Sequence, residues 1–258
     1  MILTIDIGNT TAHFGLFKKG KLLKEWRVST GRISGDQGIR KGISGYKDIS
    51  KVVVSSVVPS ANKAIKKLFP QAVFVDHKNV GIRIKMKKPS EVGADRLVNA
   101  LAAYILYRGP CIVVDFGTAT TFDVISQKGE YLGGAIAPGV LLSRDCLHDR
   151  TAKLPLIEIK QPHRVIGKNT LEAMRSGLVY GYAGMVEGMI ARIKSELTPY
   201  PPLLLREGEQ KGVSLKVIAT GGLAGLICKY TTVVDRIDDK LTLKGLRIIV
   251  DRLNGTSD

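Results

Sequence analysis

Cysteine is scarce in this 258-residue chain, which has three: Cys111, Cys146 and Cys228. They are odd in number and widely separated, so they fit neither a disulfide framework nor a zinc site, and they suit a reducing cytoplasm. Long apolar runs are missing too. None approaches the roughly 18 uncharged residues that a bilayer span needs, so no membrane segment is expected. The N-terminus enters an apolar strand without a basic leader or cleavage site, and no secretory signal is expected. The four histidines, at 13, 77, 148 and 163, show no metal-ligand spacing, and no H-E-x-x-H motif or Ser-His-Asp set is present. Acidic residues are outnumbered, 23 Asp plus Glu against 39 Lys plus Arg, for a net charge of +16. The basic residues are spread along the chain, and the densest patch, RIKMKKP (Arg83 to Pro89), has no interleaved aromatics. Nucleic acid is therefore not expected as a main partner, and an anionic small substrate accounts for part of the charge. With 44% apolar and 24% charged residues, the chain is long enough for one large globular domain or two ordinary ones.

What is present begins with ILTIDIGNTTAHFGLF, an apolar run that breaks at Asp6, Gly8, Asn9, Thr10 and Thr11. Alone it is a tight turn, since Asp, Gly and Asn all favour turns. A second copy changes its meaning. CIVVDFGTATTFDVISQKGEYLGG sets Asp115 against Asp6, Gly117 against Gly8, Thr120 against Thr11, Gly129 against Gly20 and Leu132 against Leu23, each 109 residues apart. Both copies spell strand, D-x-G turn, strand, KG turn, strand. The expected organisation is two similar halves, residues 1–111 and 112–258, each a β-meander continuing into α/β structure. Residues 51–58 and 71–76 are expected as buried strands with a helix over 60–69 between them. Residues 198–212, with three prolines, are expected as a surface loop. Two D-x-G turns around a cleft could hold one polyphosphate, with the glycine N–H groups meeting its oxygens. Asp6 would then carry Mg²⁺, a hard cation that takes carboxylate oxygen.

Two further glycine motifs separate cleanly. GLFKKGK (Gly15 to Lys21) imitates a Walker A motif, but Leu22 replaces the required hydroxyl and the flanks are hairpin strands. ATGGLAGLI (Ala219 to Ile227) is a strand, a turn at Gly221 and Gly222, and a helix start, suited to the nucleoside end of a nucleotide. A helix is expected over 94–107, with Leu97, Val98, Leu101, Tyr104 and Ile105 on or near one face. Asp95 and Arg96 at its start have two explanations. Asp95 either complements the helix dipole or accepts the proton of an attacking hydroxyl. Arg96 is either surface or a bidentate partner for an anionic acceptor group. Asn169 and Glu172 form a capping box that makes Thr170 the first residue of the longest helix. Gly177, Gly181, Gly184 and Gly188 share one face of it, which predicts close approach of another helix from this chain or from a second subunit.

These residues together resemble the type III pantothenate kinase family. The resemblance lies in DIGNT (6–10), WRVST (26–30), SSVVP (55–59), EVGADR (91–96), DFGTATTFDV (115–124), YLGGAIAPG (131–139), NTLEAMRSG (169–177) and ATGGL (219–223), in that order over nearly the whole chain. It implies an α/β fold of duplicated ribonuclease H-like domains, that of the acetate and sugar kinase and actin superfamily. It also implies ATP-dependent phosphorylation of pantothenate with Mg²⁺, a monovalent cation (K⁺ or NH₄⁺), a cytoplasmic location and a homodimer with its site near the interface. Carried onto this sequence, Asp6, Ile7, Gly8, Asn9, Thr10, Thr11, Ala12 and His13 would bind ATP phosphates and Mg²⁺, and Thr118 would touch ATP. Gly93, Ala94, Asp95 and Arg96 would hold pantothenate, with Asp95 as proton acceptor, Asp115 as ligand of the monovalent cation and Thr170 touching substrate. Where the family often has RYDNP before GADR, this chain has KMKKP, so Met86 stands in the place of an aromatic that contacts pantothenate. Two other classes are compatible with parts of the pattern: a non-catalytic relative acting as a transcriptional accessory factor, and an actin-like ATP-binding assembly protein.

Overall fold

A computed structural model describes residues 1–35, 37–46, 48–197 and 215–253. The expected surface loop at 198–212 lies outside the described residues. The chain forms two compact units, one comprising Met1–Arg108, Gly129–Gly133 and the chain from Lys240, the other Gly109–Lys128 and Gly134–Asp239.

In the first unit, β1 (Ile2–Ile7), β2 (Thr11–Lys18) and β3 (Lys21–Ser29) form a meander. After α1 (Gln37–Ile43) come β4 (Lys51–Ser56), α2 (Pro59–Leu68) and β5 (Val73–Phe74). The sheet order is β3-β2-β1-β4-β5, with β1 antiparallel to β2 and parallel to β4. The strand expected over 71–76 is only two residues long. The Walker-like segment is a hairpin, its turn made by Lys19 and Gly20 at φ 47° and 77°.

Alternation in β1 sends Leu3, Ile5 and Ile7 into a core with Phe14, Leu16, Val52, Val54 and Ile65. Each such side chain contributes about 1.5–3 kcal/mol by leaving water. Thr4, on the opposite face, is equally buried, because that face is covered as well. Part of its cover comes from α3 (Ala94–Tyr107), which has the expected bounds. The rest belongs to a helix that no sequence motif marks, residues 241–253. Its Gly245 lies so close to α3 that a Cβ there would come within 2.6 Å of the Val98 carbonyl oxygen.

The second sheet holds β6 (Cys111–Phe116), β7 (Ala119–Ile125), β8 (Tyr131–Pro138), β9 (Lys216–Thr220) and β10 (Arg236–Ile237). Its order, β10-β9-β6-β7-β8, reproduces the first sheet element for element. The second unit also holds α4 (Val140–Asp149), α5 (Thr170–Leu197) and α6 (Ala224–Ile227), and the C-terminal helix is α7 (Leu241–Leu253). The capping box at α5 is present: the Glu172 N–H donates to Asn169 Oδ1 at 2.9 Å, and the Glu172 carboxylate accepts from the Lys168 N–H at 2.9 Å.

The repeat is exact in strand order and inexact by one residue at its turns. Ile7 pairs with Ala12, leaving Gly8 to Thr11 in the first turn, whereas Phe116 pairs with Thr120, leaving Gly117 to Ala119 in the second. Phe14 and Phe122, both fully buried, are therefore equivalent at a spacing of 108. The equivalence of Thr11 with Thr120 is corrected by this register: Thr11 matches Ala119, and Thr120 matches Ala12.

Candidate functional site

Asp6 is the penultimate residue of β1, half-buried, opposite His13 in β2 and level with Ser55 in β4. The glycine of the turn does not offer its N–H outward. Gly8 donates to the Thr11 carbonyl at 3.1 Å, and its own carbonyl accepts from the Thr30 hydroxyl at 2.7 Å. The expected role of the glycine amide is corrected on this point: a hairpin this short has to close on itself, and the glycine amide closes it. Asn9 and Thr10 form the exposed tip, Thr11 follows at its foot, and Ile7 and Ala12 are buried beneath. His13 faces Glu25, Nε2 to Oε2 at 3.1 Å, and the other Glu25 oxygen takes Lys240 at 2.9 Å. Those neighbours, Lys240 foremost, hold the Glu25 carboxyl below its ordinary value.

The start of α3 approaches the same end of the sheet. The Val57 N–H donates to the Ile7 carbonyl at 3.1 Å, and the Val57 side chain lies 3.6 Å from where a Gly93 Cβ would stand. Gly93 caps the helix in an extended conformation and Ala94 is buried. Asp95 Oδ1 accepts from the Arg96 N–H at 2.8 Å and would meet a Gly93 Cβ at 2.6 Å, so glycine is required for the carboxylate to sit there. Burial raises the Asp95 carboxyl above its ordinary value, and the Arg96 amide and guanidinium offset that only in part. A carboxylate so placed is a better proton acceptor than a solvated one.

The Arg96 guanidinium lies 6.0 Å from the ring centroid of Tyr131, which is fully buried. Tyr131 is fixed by residues 83–85: its N–H donates to Arg83 and its carbonyl accepts from Lys85, both at 2.8 Å. Met86 follows that strand-like segment, 38% exposed, with its sulfur 3.0 Å from a Cβ position at Gly133. The structure thus brings Arg96 and Met86 to the start of β8, with Gly93, Ala94 and Asp95 preceding Arg96 at the start of α3. Tyr131, the floor under Arg96, stands in the YLGG motif, where nothing local marks it as part of the site.

In the second unit Asp115 is half-buried, opposite Thr121 and level with Thr220. The Gly117 N–H closes its turn onto the Ala119 carbonyl at 3.1 Å, as Gly8 does onto Thr11. Two further glycines crowd this turn. A Cβ on Gly221, at φ +92°, would stand 2.5 Å from Asp115 Oδ1 and 2.6 Å from the Phe116 carbonyl. A Cβ on Gly139 would stand 2.2 Å from the Thr118 oxygen, which accepts the Gly139 N–H at 3.1 Å. Gly139, the N-cap of α4, was missed, since nothing local distinguishes it from an ordinary helix-entry glycine. Gly222 faces open space and Thr118 is exposed. Thr170 is the exposed first residue of α5, and Gly177, Gly181 and Gly184 on that helix have nothing of this chain within 4 Å of a Cβ position among the described residues.

Among the described residues no group of three or more His, Cys, Asp or Glu could hold a metal ion, and no helix is long and apolar enough to cross a membrane. A divalent ion held by one carboxylate fits this pattern if it is Mg²⁺, which keeps several waters and shares phosphate oxygens. The Ser55 hydroxyl, level with Asp6, is buried with no hydrogen-bond partner. Asp6 therefore has a polar neighbour whose hydrogen-bonding capacity is unspent.

A model of the type III pantothenate kinase family matches residues 2–192. Two curated relatives carry the same name. That of Moorella thermoacetica is 44% identical over 98% of this chain and 99% of its own length, and that of Syntrophobacter fumaroxidans is 45% identical over 98% of each. Among solved structures, a Campylobacter jejuni protein assigned to the Baf family of transcriptional activators superposes with a TM-score of 0.63 at 19% identity, covering 98% of this chain and 99% of that one. A ROK family glucokinase from Streptomyces griseus, with glucose and AMPPNP, gives 0.50 at 12% identity, covering 95% and 97%. Both likenesses speak for the fold alone, the duplicated α/β architecture of sugar kinases and actin-like ATPases. The family match and the two relatives do not favour the accessory-factor class. The chain belongs to the type III pantothenate kinase family, whose members transfer phosphate to pantothenate.

Proposed function

We propose that this chain phosphorylates the primary hydroxyl of pantothenate at the expense of ATP, giving 4'-phosphopantothenate for coenzyme A synthesis, with Asp95 as the proton acceptor. The observation that carries this assignment is the Asp95 carboxyl: raised by burial, fixed by the Arg96 amide, and next to a guanidinium on an aromatic floor. The hydroxyl oxygen attacks the γ-phosphorus, its proton goes to Asp95, and the bond to the β-phosphate oxygen breaks to leave ADP. Arg96 pairs with the pantothenate carboxylate, and Gly93, Ala94, Met86 and Thr170 complete the acceptor contacts. Residues 6–13, Thr118, Gly221 and Gly222 are assigned to ATP. Because the Gly8 and Gly117 amides are spent within their turns, phosphate contacts in this assignment fall to the turn tips.

Asp6, with Ser55 level with it, would hold Mg²⁺, and Asp115 the monovalent cation, K⁺ or NH₄⁺. Each ion supplies charge neutralisation to the phosphates. The halves 1–111 and 112–258 are assigned as the duplicated ribonuclease H-like domains. A homodimer in the cytoplasm is part of the same assignment, and the glycine face of α5, which nothing else of this chain approaches among the described residues, supports it, since glycine in a helix costs up to about 1 kcal/mol unless close packing returns it.

The test is ADP release from ATP, Mg²⁺ and K⁺, with and without pantothenate. Dependence on pantothenate is expected, and its absence at high ATP would overturn the assignment. Asp95→Asn should keep ATP binding and lower kcat by about 10²–10⁴-fold. In the parent protein activity should fall as pH drops and Asp95 takes up a proton. That acid limb should lie above the ordinary value of 3.8, because burial raises the group. A limb at or below that value would remove Asp95 from the role.

A further inference from the structure

In the second unit a single peptide group, Pro138–Gly139, joins the end of β8 to the start of α4. Proline is tolerated at the end of a strand, where no ladder bond needs its N–H. The peptide that follows it has one carbonyl and one N–H, and both are engaged. The Gly139 N–H donates to the Thr118 carbonyl at 3.1 Å, and the Pro138 carbonyl accepts from the Tyr182 hydroxyl of α5 at 2.8 Å. One planar group is thus held on one edge by the second Asp-x-Gly turn and on the other by α5.

The direction of the bonds is fixed by proton count. A tyrosine hydroxyl has one proton, and this one goes to a carbonyl, which only accepts. The Ser143 hydroxyl, 2.6 Å from the Tyr182 oxygen, is therefore the donor in that contact. Donation runs from Ser143 to Tyr182 to the peptide and on to Thr118, and bonds aligned in this way polarise one another. Packing leaves the turn little room to move. A Cβ on Gly139 would stand 2.2 Å from the Thr118 oxygen and 2.6 Å from that of Gly117. Tyr182 is 9% exposed, so its hydroxyl needs a partner, and Ser143 alone would supply one. The second bond goes to the carbonyl whose own peptide holds Thr118, the exposed turn residue assigned to ATP.

We propose that Tyr182 is a positioning residue for the nucleotide: through the Pro138–Gly139 peptide it fixes the Thr118 turn against ATP. This rests on the assignment of Thr118 to ATP and adds to it a buried side chain that acts through the backbone.

Calorimetric titration of the full chain with the ATP analogue AMPPNP, in Mg²⁺ and K⁺, tests this without turnover. Tyr182→Phe keeps the ring and removes the hydroxyl, and should weaken AMPPNP about three- to tenfold, the worth of one hydrogen bond. Ser143→Ala leaves the bond to Pro138 in place and should change the affinity less than about twofold. Thr118→Ala should weaken AMPPNP by itself. Adding Tyr182→Phe to it should then cost less than about twofold more, since the tyrosine acts through Thr118. A tyrosine that serves stability alone would lower Tm in Tyr182→Phe and leave AMPPNP affinity at the parent value. That result would overturn the proposal, as would full additivity of the two substitutions or equal weakening by Ser143→Ala. Parent-like affinity in Thr118→Ala would overturn the Thr118 assignment and the proposal together. Pantothenate-dependent ADP release is a separate measurement, so the kinase assignment and this proposal fail independently.

Discussion

The two Asp-x-Gly hairpins share a scaffold and differ in what surrounds it. In each, the aspartate is the penultimate residue of the central strand, and a hydroxyl residue, Ser55 or Thr220, lies level with it in the neighbouring parallel strand. In each, the glycine N–H closes the turn. Beyond that they diverge. The first turn is one residue longer and linked outward: His13 reaches across to Glu25 in the next strand, and Glu25 to Lys240. At the matching position Thr121 donates to Asp123 of its own strand at 3.1 Å, and that carboxylate is wholly buried. The second turn is instead closed in by the backbones of Gly139 and Gly221. Duplication has preserved where the charge sits, and the neighbours decide what it can bind.

The strongest way to break this comparison is to neutralise each aspartate separately. Asp6→Asn should lower turnover by about 10²–10³-fold at any monovalent cation, as loss of a charge-stabilising group does, and should weaken the response to Mg²⁺. Asp115→Asn should do less, and its remaining rate should be equal in K⁺ and Na⁺, whereas the parent should be slower in Na⁺. Steady-state rates over a grid of both ions decide the matter. If the two variants lose the same ion response, the hairpins do not have separate roles.

Glycine substitutions sharpen the contrast on the scale of stability. Gly221→Ala combines a left-handed backbone with a Cβ 2.5–2.6 Å from Asp115 and Phe116, and Gly139→Ala puts a Cβ 2.2 Å from the Thr118 oxygen. Each should cost about 2–3 kcal/mol, which lowers Tm by several degrees for a chain of this size. Gly8→Ala meets only the Thr11 carbonyl at 3.3 Å and should cost less than about 1 kcal/mol. Thermal unfolding of the three variants ranks them directly. Equal losses would mean that the second turn is no more enclosed than the first.

Much of this was legible in local pattern. The paired strand-turn-strand motifs, the α3 boundaries at Ala94 and Tyr107 and the Asn169 cap all follow from residue chemistry within a few positions. The one-residue register difference was not, because it is compensated nearby. The second turn is shorter, but Phe122 stands one residue further from its KG turn than Phe14 does from the first, while the first hairpin carries a register slip between Leu16 and Phe17. Ungapped spacing therefore reads 109 on both sides of a stretch where the true equivalence, Phe14 to Phe122, is 108. The crowding of the second turn by Gly139 and Gly221, the support of Arg96 by Tyr131 and the return of α7 to the first sheet are contacts between residues far apart in sequence. No local periodicity encodes them.

The smallest expected effect concerns the outward link of the first hairpin. Glu25 sits below its ordinary value of 4.5, chiefly through the Lys240 hydrogen bond and then through His13. A carboxyl lowered by folding stabilises the protein above its unfolded value, and that contribution disappears as pH falls through the folded one. Glu25 is 36% exposed, so solvent screening limits the gain to about 0.2–1 kcal/mol. Glu25→Gln should thus lower stability slightly at pH 7, less so in high salt, and the two proteins should converge below pH 4.5. Denaturant titrations across that range check it. A deficit that persists at low pH would show that Glu25 acts through packing, and that the polar tie from His13 to Lys240 does not distinguish the two hairpins energetically.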